Sequence, residues 1–335
     1  MKVIKARNVH EAFPAALLTL FQGGVERDSR NGKVLVYPSP VTTVYERPTE
    51  RVMFWPERDA NPFFHFFESL WMLNGNNDVK FVSQFVKRMQ TFSDDGNTFH
   101  GAYGHRWRKH FDFDQLPIII DSLKRNPDDR RSVLQIWDAT TDLGTDGKDL
   151  PCNTQVYFSR NSDGALDMTV CNRSNDIVWG CYGANAVHFS FLQEFMASAI
   201  GCEVGKYYQM SNNWHGYLDT VEPFRNLSMK GFNSLYQLDN FNLYPIMQTP
   251  VHQWQQDLSM FMSEGLVIGF KDPFFKRVVT PLYESFVHYK KSKAKDRFEI
   301  AYGILDDCIA DDWRIACQEW ILRREENFNQ KGINQ

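Results

Sequence analysis

The sequence predicts an α+β fold, in which a mixed sheet packed with long helices is followed by a mainly helical C-terminal part. Three observations predict it. Strand-like runs are interspersed with long helical runs through the first two thirds of the chain. Beyond about residue 250 the strand signals stop and helical spacing continues to the end. The 335 residues are 43% hydrophobic and 15% aromatic, enough for a large core. The expected division is 1–225 for the mixed body and 226–335 for a helical extension of the same body. No internal repeat, Gly/Ser linker or low-complexity tract separates them.

Taken in order, residues 8–22 read as a helix with Leu17, Leu18 and Phe21 on one side. Asn31-Gly32 is a turn signal, Val34 to Tyr37 reads as a strand, and Arg27 and Arg30 fall on the loop before it. Asn61-Pro62 opens a helix in which Phe63, Phe67, Leu70 and Trp71 recur at helical spacing, closed by Gly75. Glu68 sits at the edge of that apolar face, where a carboxylate needs either an ion-pair partner or chemistry to do. A polar stretch leads to Tyr103-Gly104-His105-Arg106-Trp107-Arg108, then to a short amphipathic helix over 115–125. Asn126-Pro127-Asp128 is a turn, and Val133 to Trp137 reads as a strand. The adjacent Arg130 and Arg131 suit either a solvated face or a phosphate, since each guanidinium donates a forked pair of hydrogen bonds.

A hairpin over 149–174 is the centre of the chain. Cys152 follows a proline at its mouth, and the return strand delivers Arg173 and Ser174. A cation near a thiol makes thiolate available, and a thiolate beside an anion-binding arginine suggests covalent catalysis on a phosphorylated substrate. The alternative is a small buried hydrophobe, as most free cysteines are. From Asn185 a long helix is apolar on most sides, and Asn185 is either its cap or an amide offered to a ligand. A strand then runs to His215 and Tyr217. Helices are expected over Trp254 to Leu266, Pro281 to Tyr289 and Tyr302 to Arg324.

The net charge of −4 argues against a general nucleic-acid or membrane surface, so any anion site is local. Six cysteines show no CxxC pair and no zinc spacing, so no metal is expected. With no signal peptide and no apolar run of membrane-spanning length, the expected setting is the reducing cytoplasm.

Six motifs in order resemble those of thymidylate synthase and its relatives, the pyrimidine nucleotide hydroxymethylases, over roughly residues 10–220. They are ESLWMLNG at Glu68, YGHRWR at Tyr103, NPDDRRSVLQIWD at the arginine pair, LPCN at Cys152, CNRSND at Arg173 and WHGYLD at His215. The resemblance implies a thymidylate synthase-like fold and a homodimer that shares its sites. It implies one-carbon transfer from 5,10-methylenetetrahydrofolate to C5 of a pyrimidine nucleoside 5′-monophosphate through a Cys152–C6 adduct. Arg30, Arg173 and Ser174 would hold the 5′-phosphate, joined by Arg130 and Arg131 of the other subunit. Asn185 would read the base, and His215 and Tyr217 the 3′-hydroxyl. Asp176 and Trp107 would face the folate. Glu68 would organise the proton-transfer waters, and Tyr103 would help remove the C5 proton.

Four departures bear on the product. RMQTFSDDGNTF lacks the family's tryptophans, Asp149 replaces a leucine three residues before the nucleophile, Asn153 replaces a histidine after it, and the apolar closing tail has no counterpart. The first, second and fourth make a wetter site, and hydride transfer needs a dry one. Asp149 is placed to act as a base on water. The expected product is therefore the 5-hydroxymethyl nucleotide of dUMP or dCMP, against the alternatives of an ordinary thymidylate synthase and a non-catalytic nucleotide- or RNA-binding relative. An amide can flip to serve uracil or cytosine, so Asn185 leaves the base open.

Overall fold

The computed structural model describes residues 1–227, 235–294 and 296–333. Eight strands within them form one mixed sheet: β1 (Lys2–Ala6), β2 (Val25–Ser29), β3 (Gly32–Val36), β4 (Val41–Tyr45), β5 (Val133–Gln135), β6 (Asn153–Arg160), β7 (Leu166–Asp176) and β8 (Val204–Tyr217). The spatial order is β1-β4-β8-β7-β6-β5, with the β2–β3 hairpin joined to β8 through β3. The β1–β4 and β7–β8 pairs are parallel and the others antiparallel.

Alternation builds the central hairpin. Val156 and Phe158 of β6 and Leu166, Met168 and Val170 of β7 point inward, and the two strands meet at a turn that Gly164 closes at φ +79°. The helix over Asn185–Ile200 packs against β7 and β8, whereas the first helix packs against β1, β3 and β4. Helix α1 (Val9–Gly23) starts where the Asn8 side chain accepts from Glu11 N at 3.0 Å, and it buries Ala12, Phe13, Ala16, Leu17 and Leu20. Leu18 and Phe21, expected on the buried side, are only half-buried, because the small residues Ala12 and Ala16 let the helix approach on the other stripe.

Helix α2 (Pro62–Leu73) is capped by the Asn61 side chain, which accepts from Phe64 N at 3.1 Å. Its other end is satisfied by Arg108, whose guanidinium donates to Leu73 O at 2.7 Å. Helices α3 (Tyr103–Arg108) and α4 (Gln115–Arg125) follow, and α5 (Asn185–Ile200) is buried along nearly its whole length.

The described chain divides into two compact units, Met1–Arg51 with Phe67–Asn233, and Val52–Phe66 with Ser234–Gln335. The second contains α6 (Val251–Glu264), α7 (Thr280–Lys291), α8 (Arg297–Ile304) and α9 (Asp311–Ile333). Its core is aromatic, with Phe66 edge-on to Trp313 at 5.0 Å and Trp254 against Phe275 at 5.6 Å.

Two expected elements differ. Residues 25–29 are a strand rather than a loop, so Arg27 lies on β2 and Arg30 at the hairpin tip. The helix expected over Tyr302 to Arg324 is two helices, broken because Asn242 Nδ2 donates to Ile309 O at 2.6 Å and Asp311 N to Asn242 O at 3.0 Å. Asp311 and Asp312 then open a new helix, favoured by its N-terminal dipole.

Candidate active site

Cys152 stands one residue ahead of β6, where the backbone N–H of Arg173 on β7 donates to Cys152 O at 2.9 Å. The hairpin therefore brings the thiol and the arginine to one end of the sheet, as the sequence predicts. The electrostatics differ from expectation. Burial pushes the Cys152 thiol up, Arg173 pulls it down, and Asp149 adds to the rise. The net direction is upward, because the Arg173 guanidinium is turned onto loop carbonyls, donating to Pro151 O at 3.0 Å and Leu150 O at 3.1 Å. Its remaining N–H groups are exposed beside Trp137, whose ring centre is 5.6 Å away.

Helices α2 and α3 supply Glu68 and Tyr103. Gly104 makes their approach possible, since a Cβ there would fall 1.9 Å from Met72 O. Tyr103 stacks obliquely on Phe189 at 5.8 Å, and its phenol lies beside Cys152, Asn153 and Asp149. Burial, with Cys152 next, holds that phenol well above its ordinary range, so it stays protonated. Glu68 is 6% exposed, and its Oε2 lies 3.0 Å from Nε2 of the 2% exposed His188. Sequence reading missed His188. Its signal is the i, i+3 spacing from Asn185, which puts both on one face of α5.

These groups open onto one cavity of about 180 Å³ lined by Glu68, Tyr103, Asp149, Asn185 and His188, with an apolar wall that includes Trp71 and Phe99. The Gly101 N–H donates to Asp149 Oδ2 at 2.9 Å, and a Cβ at Gly101 would meet Asp149 O at 2.8 Å. Burial raises the Asp149 carboxyl above its ordinary value despite that hydrogen bond. The tryptophan-free segment still contributes to the wall through Met89 and Phe92, so the aromatic side is reduced rather than lost.

The amide of Asn185 accepts from Asn153 Nδ2 at 3.3 Å and donates to Asn175 Oδ1 at 3.1 Å. The sequence puts one more residue before Asn185 than the resemblance expects. The structure has a π-helical stretch over Ile177–Ala184, kinked at Tyr182 and Gly183, just ahead of Asn185. Ser174 pairs with Asn213, and Asp176 with His215, across the parallel β7–β8 ladder. His215 and Tyr217 are half-buried and edge-on at 5.5 Å. Asn31 Nδ2 donates to Tyr217 Oη at 3.5 Å, which sets the exposed Arg30 turn against that tyrosine.

Three expected residues stand apart from this group. Arg130 and Arg131 precede β5. Phe158 N donates to Ser132 O at 3.1 Å, so the pair stands roughly six residues up β6 from Cys152, about 20 Å along the strand. Arg131 keeps its Nε on Asp129 Oδ1 at 3.0 Å and is 87% exposed. Trp107 is 0% exposed and edge-on to Phe189, so it supports Tyr103 from the core. The expected folate contact at Trp107 is thereby corrected: the YGHRWR helix must turn one large ring inward to pack. Asp176 caps the π-helical stretch, accepting from Val178 N at 3.0 Å and Trp179 N at 2.6 Å, and the Trp179 ring is 55% exposed.

A family model described as thymidylate synthase matches residues 20–242. The deoxyuridylate hydroxymethyltransferase of Pseudomonas phage M6 is 54% identical over 336 residues, covering 98% of this chain and 96% of the relative. A protein of the same description from Bacillus phage SP01 is 40% identical over 56% of this chain and 52% of its own length. The thymidylate synthase of Corynebacterium aurimucosum is 31% identical over 47% of this chain and 60% of its own length. With two thirds of its length matched and a full-length relative at that identity, the chain belongs to the thymidylate synthase family and is a one-carbon transferase.

Proposed function

We propose that the protein hydroxymethylates C5 of dUMP. One observation carries the reading: a half-buried carboxylate, Asp149, faces the same cavity as Glu68, Tyr103 and Asn185, where a leucine would keep water out. The likeness to phage proteins described as deoxyuridylate hydroxymethyltransferases supports both the base and the product. The apolar slot of Trp71, Phe92 and Phe99, with the Asp176 carboxylate and exposed Trp179 ring near the other end of the Ile177–Ala184 stretch, suits a flat ring with a donor edge. 5,10-Methylenetetrahydrofolate, when bound, supplies the one-carbon unit at the oxidation level of formaldehyde, so that adding water instead of hydride needs no reductant.

The chain's own residues divide the remaining work. Cys152 sulfur bonds C6 of the uracil, which makes C5 nucleophilic. Tyr103 stands where the C5 proton leaves, and Glu68 with His188 orders the waters that carry it. Asp149 takes a proton from the water that adds to the exocyclic methylene as the C6–S bond breaks and thiolate returns. Burial, which raises the Asp149 carboxyl above its ordinary value, favours its taking that proton. Arg30, Arg173 and Ser174 bind the phosphate from this chain. Arg130 and Arg131 reach it from a second copy, because they lie far from their own Cys152. The added cations also bring the thiol down toward its reactive form. Six cysteines without disulfides support a reducing, cytoplasmic setting.

The test is incubation with dUMP and 5,10-methylenetetrahydrofolate, reading the nucleotide by mass and the folate by absorbance. The expected result is a 5-hydroxymethyl product with tetrahydrofolate. A methyl product with dihydrofolate overturns it.

A further inference from the structure

An isolated asparagine can serve either edge of a pyrimidine, because a half-turn of its amide exchanges donor and acceptor. The interior here removes that freedom for Asn185. The main-chain carbonyl of Cys181 can only accept. Gln209 Nε2 donates to it at 3.1 Å, which turns Gln209 Oε1 to Asn175. Asn175 Nδ2 donates to that oxygen at 2.6 Å and to Ser211 Oγ at 3.1 Å, which turns Asn175 Oδ1 to Asn185. Asn185 Nδ2 donates there at 3.1 Å, leaving its own Oδ1 to accept from Asn153 Nδ2 at 3.3 Å. Reversing any one amide would set N–H against N–H or oxygen against oxygen.

Asn153, Asn175 and Gln209 are buried and do not line the cavity, so water is not at hand to repair a reversed link behind Asn185. Gly180 lets the main chain close over the junction, since a Cβ there would fall 2.7 Å from Asn175 Oδ1 and 3.2 Å from Asn185 Nδ2. After these bonds Asn185 keeps one amide hydrogen and one lone pair, and its side chain lines the cavity.

We infer that Asn175 and Gln209 are positioning residues that lock the polarity of Asn185 and so select a uracil over a cytosine nucleotide. The inference rests on the proposed reading that Asn185 meets a pyrimidine base. Neither residue lines the cavity. Each acts through the amide it holds, and a base with donor and acceptor exchanged meets like against like.

The experiment measures binding of dUMP and of dCMP to the full chain by calorimetry, for the wild type, Asn175→Val, Gln209→Leu and Asn175→Asp. The wild type is expected to favour dUMP strongly. Asn175→Val and Gln209→Leu should each narrow the ratio by at least about tenfold. Asn175→Asp still accepts from Asn185 Nδ2 and should keep the ratio. Reversible partial unfolding of a variant raises both apparent dissociation constants by the same factor, so the ratio stays readable. Equal binding of the two nucleotides by the wild type, or a ratio unmoved in both Val and Leu variants, overturns the lock. Because this readout is binding, it stands apart from the product assay, whose failure would count against hydroxymethylation alone.

Discussion

Cys152 is pulled two ways in the single chain, up by burial and by Asp149, down by Arg173. Alkylation of the substrate-free protein with iodoacetamide should therefore keep accelerating with pH beyond the range of an ordinary thiol. Arg173→Ala removes the downward pull and should slow alkylation at a given pH, whereas Asp149→Asn removes an upward one and should speed it. Slower reaction of Asp149→Asn would contradict this balance. The same substitution tests the carboxylate. Burial raises the folded-state value of Asp149, so the folded chain holds a proton that the unfolded chain releases, and this group's contribution to stability falls as pH rises past the ordinary carboxylate range. At neutral pH, Asp149→Asn should add about 1 kcal/mol of stability in a denaturant titration and cost turnover on the order of a hundredfold. Loss of stability instead would mean that Asp149 is held mainly by the bond from Gly101.

Among the elements, the junction of α2 and α3 is the tightest. A Cβ at Gly104 would collide with the Met72 carbonyl, which is main chain and cannot swing aside. Gly104→Ala should cost about 2–3 kcal/mol by urea unfolding and should move Tyr103 away from Cys152. An unchanged midpoint would show that the helices separate easily. The hairpin β6–β7 works differently, since its register alone sets Arg173 against Cys152. A one-residue slip would turn Val156, Phe158, Met168 and Val170 out of the core, so register and site geometry are held by the same apolar contacts.

For the whole molecule, the separation of Arg130 and Arg131 from their own Cys152 has a stoichiometric consequence. If each site takes its thiol from one copy and this arginine pair from another, Cys152→Ser and Arg131→Ala each disable every site of their homodimers. Mixed and refolded one to one, half the dimers are hybrids, and each hybrid has one intact site. Activity should recover to about a quarter of wild type. No recovery, with hybrids verified by mass, would place the arginines in their own chain's site or outside any site.

The sequence by itself determined the α+β class, the family and the order of the six motifs. These depend on local spacing: a proline before Cys152, a turn signal at Asn31-Gly32, and apolar periodicity around Glu68. The buried Trp107 and the broken C-terminal helix were not legible, because packing chooses which of several apolar stripes turns inward. His188, Asn175 and Gln209 escaped because their roles depend on partners far along the chain: Glu68 for the first, and Asn185 and Cys181 O for the other two. Only the tertiary structure decided the net direction of the thiol and the polarity of the Asn185 amide. Both are sums over neighbours brought together by folding, and in a buried setting each neighbour's charge or dipole is felt with little screening.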